Sequence, residues 1–172
     1  DLEQAIPLVG QVQQSMLAGD TATAKTTIAQ IAALTAQAKQ KTSTGLWKNL
    51  EWVPVAGPNL TAVRVAADSA DTLVRDAISP LTAIDLQAVM PKDGAVDVKN
   101  LTDLAGRVST ADETVTRIQH DLNALDRSVL IPQVASGITK LDDELDKVGP
   151  VLTPAHNALM ILSKALGSDG PQ

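Results

Sequence analysis

Residues 131–166 read IPQVASGITKLDDELDKVGPVLTPAHNALMILSKAL. Their apolar positions are Ile131, Val134, Ile138, Leu141, Leu145, Val148, Leu152, Ala155, Leu159, Leu162 and Leu166. The steps alternate three and four without a break. This is the a/d pattern of a heptad repeat, sustained over about five heptads. A stripe that narrow suits a long helix with one or two partner helices alongside it. The remaining chain supplies the partners.

Working back toward the N-terminus, Leu101, Leu104, Val108, Ala111, Val115, Ile118, Leu122, Leu125 and Val129 repeat the same steps. Leu60, Val63, Ala67, Ala70, Val74, Ala77, Leu81, Ile84 and Ala88 do so again, through Pro80, where a kink is expected. Leu2, Ala5, Val9, Val12 and Met16 form a shorter stripe, with Ile6 beside it and Pro7 inside it. Ala24, Ile28, Ile31 and Ala38 form another, with Leu34 beside it. Asp20 or Thr21 suits an N-cap, Lys39 and Lys41 suit a helix C-terminus, and Pro58 suits a first turn. Asp97 suits a further N-cap, and Pro132 marks the switch into the last helix. Gly149-Pro150 and Pro154 are expected to bend that helix without breaking its register.

The predicted fold is all-α: an elongated antiparallel helical bundle with coiled-coil-like heptad packing. It has about five helices, over residues 1–18, 21–42, 58–90, 97–129 and 132–166. Three of these would be about 45–52 Å long at 1.5 Å per residue. The bundle occupies residues 1–166, and 167–172 have linker composition. The chain starts at Asp1 in mid-pattern, which reads as a processed or excised fragment.

Composition agrees with closely packed helices. The 172 residues are 44% hydrophobic, yet include two Trp, no Phe and no Tyr. Ala, Leu, Val, Ile and Thr carry the apolar surface. Few aromatics argue against base stacking, and a net charge of −6 disfavours nucleic acid and anionic lipid as partners. No cysteine is present, which removes disulfides and thiolate chemistry.

A nucleophile–base–orienter set is not evident, so no catalytic residue and no cofactor is assigned. His120 and His156 lie far apart and read as partly exposed bundle residues. Asp142, Asp143, Glu144 and Asp146 are the densest acid cluster. Neighbouring helical positions point in different directions, so a solvated face is expected, not a metal site. Lys140 and Lys147 stand at i,i+4 to Glu144 and Asp143. Asn59 and Asn100 each open a glycosylation sequon. Trp47 and Trp52 lie in a connection without clean period, Leu46 to Pro58. They are the candidate interaction surface, and the alternative is that they plug one end of the bundle. A lipid-carrying bundle ranks lower, because narrow stripes and the lack of a basic rim do not suit it.

Several short motifs recur in a familiar order. They are Gly19-Asp20, the run from Leu46-Trp47 to Trp52-Val53-Pro54-Val55-Ala56-Gly57, Ile78-Ser79-Pro80-Leu81, Gly94-Ala95-Val96-Asp97, and Leu166-Gly167-Ser168-Asp169-Gly170-Pro171. In these the chain resembles the helical N-terminal region of domain of unknown function 4012. That family comprises actinobacterial membrane-anchored proteins often encoded beside polysaccharide biosynthesis genes. The resemblance implies a membrane anchor before Asp1 and a larger head domain after Gln172. It implies an extracytoplasmic, non-enzymatic stalk or interaction module linked to polysaccharide or cell-wall glycopolymer assembly. Its partners would be the head domain, envelope glycopolymer or other envelope proteins. A glycan- or lipid-binding module and a sensor-type ectodomain are the alternatives.

Overall fold

In a computed structural model, residues 2–45, 53–54, 56–82 and 98–167 are described. They form five helices. These are α1 (Leu2–Leu17), α2 (Thr21–Thr42), α3 (56–82), α4 (Val98–Asn123) and α5 (Pro132–Gly167). Helix α3 runs as Ala56–Thr72, a π-helical stretch Leu73–Ile78, and a last turn Ser79–Thr82. The fold is an all-α bundle. No described helix is long and apolar enough to cross a membrane.

Neighbouring helices run antiparallel. Along α4 and α5, Asp112 meets Thr153, Gln119 meets Asp146, and Arg127 in the connection meets Asp142. Numbers fall on one helix as they rise on the other. Lys39 near the end of α2 meets Asp68 and Asp71, whereas Ile28 and Ile31 share a cluster with Val74 and Ile78. Arg107 donates to the carbonyl of Pro80, and Ala62 packs with Val115, Ile118 and Leu122. So α2 and α3, and α3 and α4, also oppose one another.

The caps follow local chemistry. The Asp20 carboxylate accepts from Thr23 N at 3.0 Å and starts α2. Gly19 ahead of it adopts φ 72°, a left-handed conformation that costs glycine little. Asp126 accepts from Ser128 N at 3.0 Å and from its hydroxyl at 2.6 Å, and a 3-10 turn, Arg127–Val129, follows. That side-chain competition ends α4 at Asn123, six residues before the end expected from periodicity at Val129. Val129 is exposed.

Packing corrects the stripes in four places. On α1 the inward side is Ala5, Leu8 and Val12, whereas Val9 and Met16 of the expected stripe face solvent. On α2 the buried positions include Thr27, Thr35 and Thr42, whose hydroxyls bond to carbonyls of their own helix. This internal pairing makes buried threonine tolerable. Helix α3 has two apolar faces, not one stripe. Ala62, Val65, Ala66 and Leu73 face α4 and α5, while Val74 and Ile78 face α1 and α2. Near Pro80, the observed feature is the π-helical stretch ending at Ile78, with Ser79 N donating to the carbonyl of Val74. In an α-helical turn the proline ring would press on the carbonyl four residues back, and the wider turn relieves that contact.

On α5, Ile138 and Leu145 are sealed in the core. Toward the C-terminus the same stripe is half-covered, and Val148 and Leu162 are exposed. Helix α5 continues through Pro150 and Pro154. The expected ends of α3 at 90, the Asp97 cap and the segment 168–172 lie outside the described residues.

Candidate functional site

Trp47 and Trp52, the expected interaction surface, lie outside the described residues. The most concentrated chemistry among the described residues is a polar groove of about 350 Å³ where α2, α3 and α4 meet. Its charged lining is Lys39 from α2, Asp68, Arg75 and Asp76 from α3, and Arg117 and Asp121 from α4.

Helical spacing assembles the groove. Asp68, Asp71 and Arg75 stand three and four apart, so they share one side of α3. Lys39 sits in the last turn of α2, where the helix dipole also favours a cation. Lys39 Nζ lies 2.7 Å from Asp68 Oδ1 and 3.1 Å from Asp71 Oδ2. Arg75 donates to the same Asp71 oxygen at 3.1 Å and to Asp76 at 2.7 Å. The Asp71 side chain is 12% exposed, so it needs both cations to offset its lost hydration.

The titration of these groups follows the contacts. Hydrogen bonds to Asp68 and then Asp71 raise the Lys39 ammonium above its ordinary value. The Arg75 hydrogen bond lowers the Asp76 carboxyl, with the charges of Arg75, Arg117 and Lys39 helping. The cations are thus matched by carboxylates. Such a set fixes the positions of α2 and α3 relative to one another.

The other sequence candidates are spread apart. His120 is 84% exposed, with Nδ1 3.6 Å from Asp121. His156 is on α5, its Nδ1 buried without a hydrogen-bond partner. The acid cluster is divided among partners: Asp142 accepts from Arg127 at 2.6 Å, Asp146 from Gln119 at 2.7 Å, and Glu144 from Lys147 at 2.6 Å. Lys147 therefore pairs at i,i+3 with Glu144, where i,i+4 pairing with Asp143 was expected. No three His, Asp or Glu among the described residues are placed to hold a metal ion.

Asn59 is a structural residue that its sequon obscures. It is buried at the start of α3, and its Oδ1 accepts from the backbone N–H of Ile131 at 2.8 Å. That bond ties α3 to the entry of α5. The spacing of 72 residues gave no local signal for it.

Among the described residues, exposed large apolar side chains are most numerous on α5. Val148, Val151, Met160, Ile161 and Leu162 are exposed on α5, with Val151 68% and Ile161 71% accessible. From Val148 to Ser163 the helix carries no Asp, Glu, Lys or Arg. No protein-family profile, curated protein or solved structure matches the chain.

Proposed function

We propose that this chain is a non-enzymatic, extracytoplasmic helical stalk or interaction module of a membrane-anchored envelope protein. In this reading it spaces and orients a head domain that acts in polysaccharide or cell-wall glycopolymer assembly. The observation that carries the reading is α5, 36 residues long and unbroken through two prolines. At 1.5 Å per residue it spans about 54 Å, with α4 laid against it. A long helix braced by its neighbours transmits position from one end to the other. The charge-matched groove and the scattered histidines fit a role in spacing, and the motif resemblance supplies the envelope setting.

The test is incubation of the purified chain with cell-wall polymer, followed by product analysis and co-sedimentation. The stalk reading expects no turnover and no sedimentation with polymer. Hydrolysis or transfer of any envelope polymer would overturn it. Binding that is lost in Trp47→Ala/Trp52→Ala with helicity intact would replace it with the glycan-binding reading.

Val148, Val151 and Leu162, exposed on one side of α5, favour a second reading, a sensor-type ectodomain that dimerises through a helix face. Sedimentation velocity distinguishes the two. A strictly monomeric chain at high concentration counts against the sensor reading.

A further inference from the structure

Among the described residues the bundle has two apolar clusters, and α3 contributes to both. The larger one joins Ala62 of α3 to Val115, Ile118 and Leu122 of α4 and to Ile138 and Leu145 of α5. The smaller one joins Ala5 of α1 to Ile28 and Ile31 of α2 and Val74 of α3, flanked by Leu8, Val12, Ala32, Leu34 and Ile78. Neither cluster crosses α3. Among the described residues, the apolar support of the α1–α2 hairpin therefore comes from one face of α3.

Where the hairpin approaches α4, the space between them is the polar groove, not core. On the hairpin side Lys39 meets Asp68 and Asp71 of α3. On the α4 side the groove presents Arg117 and Asp121, and on the α3 side Arg75 and Asp76 as well. An apolar contact of this size holds less strongly than the larger core. Its closure is correspondingly sensitive to the ionic contact at its edge.

We propose that the α1–α2 hairpin is a charge-clasped flap that opens off α3 as a unit while α3, α4 and α5 stay folded. Lys39 is the clasp. Opening bares Val74 and Ile78 on α3 together with Ile28 and Ile31 on α2, giving two apolar faces that a closed bundle hides. The Lys39–Asp68 pair is open to solvent and is screened by salt, whereas the more buried Asp71 partner is screened less. Ionic strength thus sets how often the flap is open. This inference stands independently of the stalk reading.

Native-state hydrogen exchange on the full chain tests it, at about 20 mM and about 500 mM salt. The α2 amides should exchange through an opening that leaves the Val115–Leu122 amides of α4 protected. High salt should speed α2 exchange roughly three- to tenfold, with little effect on α4. Lys39→Met should speed it comparably at low salt and remove most of the salt response, while Lys39→Arg should keep the slow, salt-sensitive behaviour. A common exchange rate for α2 and α4 through global unfolding would overturn the proposal. So would Lys39→Met exchange that matches the wild type at low salt.

Discussion

Truncating two leucines of the same heptad stripe should give very different costs. Leu145 and Leu162 both occupy the α5 stripe, but Leu145 is 1% exposed and Leu162 is 45% exposed. Leu145 packs in the core where α3, α4 and α5 meet. Leu145→Ala removes three carbons from water-free surroundings, a transfer loss of about 2.5 kcal/mol at ~0.8 kcal/mol per methylene. The cavity it leaves cannot fully collapse among Leu122, Val115 and Ile138, so the total should be about 3–4 kcal/mol. Leu162→Ala forfeits roughly half the transfer term and opens no enclosed void, so about 1 kcal/mol is expected. Urea unfolding followed by helical circular dichroism measures both, with unchanged m-values as the condition for comparison. In a chain of this size the Leu145 loss corresponds to a fall in Tm of roughly 6–16 °C. Equal costs at the two sites would refute the reasoning. They would mean that the stripe is covered along its whole length, by another copy of the chain or by a different packing of α5.

Three further outcomes follow from named contacts. Asn59→Ala should cost about 1–3 kcal/mol in the same urea assay, because the Ile131 N–H loses its acceptor, and Asn59→Asp should recover part of that loss. Gly19→Ala should cost about 1–2 kcal/mol, since φ 72° is strained for any residue with a Cβ, and a gain in stability there would contradict the turn. The pH dependence should be two-sided. Lys39 is raised in the folded state, so its contribution is complete below the unfolded lysine value near ~10.4 and is lost as pH rises through the folded value. Asp76 is lowered, so its contribution is present above ~3.9 and is lost as pH falls through the folded value. Stability profiles of Lys39→Met and Asp76→Asn should be flatter than wild type on the alkaline and acid sides respectively, and unchanged slopes would refute the assignments.

The fold was legible because heptad spacing is a one-dimensional record of helix packing. Ile138 and Leu145 on α5, and Val108, Val115 and Leu122 on α4, are buried as the spacing requires. The spacing does not record how many neighbours a stripe has. Helix α3 lies between two groups of helices, so it needs two faces, and one of them includes Ala62, which the Leu60–Val63–Ala67 stripe skips. Thr27, Thr35 and Thr42 were invisible to an apolar pattern because their hydroxyls pair within α2 before they are buried. The groove was half-visible: Asp71 and Arg75 stand at i,i+4 on one helix, but their meeting with Lys39 depends on how α2 lies against α3.

The same limit explains why an unbroken stripe on α5 does not mean an unbroken core. The a/d positions tell where a helix offers apolar side chains, and Val148 and Leu162 are offered as plainly as Leu145. What seals Leu145 is Ala62 approaching from α3 as a third wall beside α4. Farther along, the π-helical part of α3 turns Val74 and Ile78 toward the α1–α2 hairpin, so α3 contributes there to the other cluster. One helix cannot wall two clusters fully at the same height. The two clusters divide α3 between them, and the stretch of α5 from Val148 to Leu162 is half-covered, with Leu152 still packed against the larger cluster. Leu145→Ala and Lys39→Met probe the two sides of that division, and their effects on stability should therefore add.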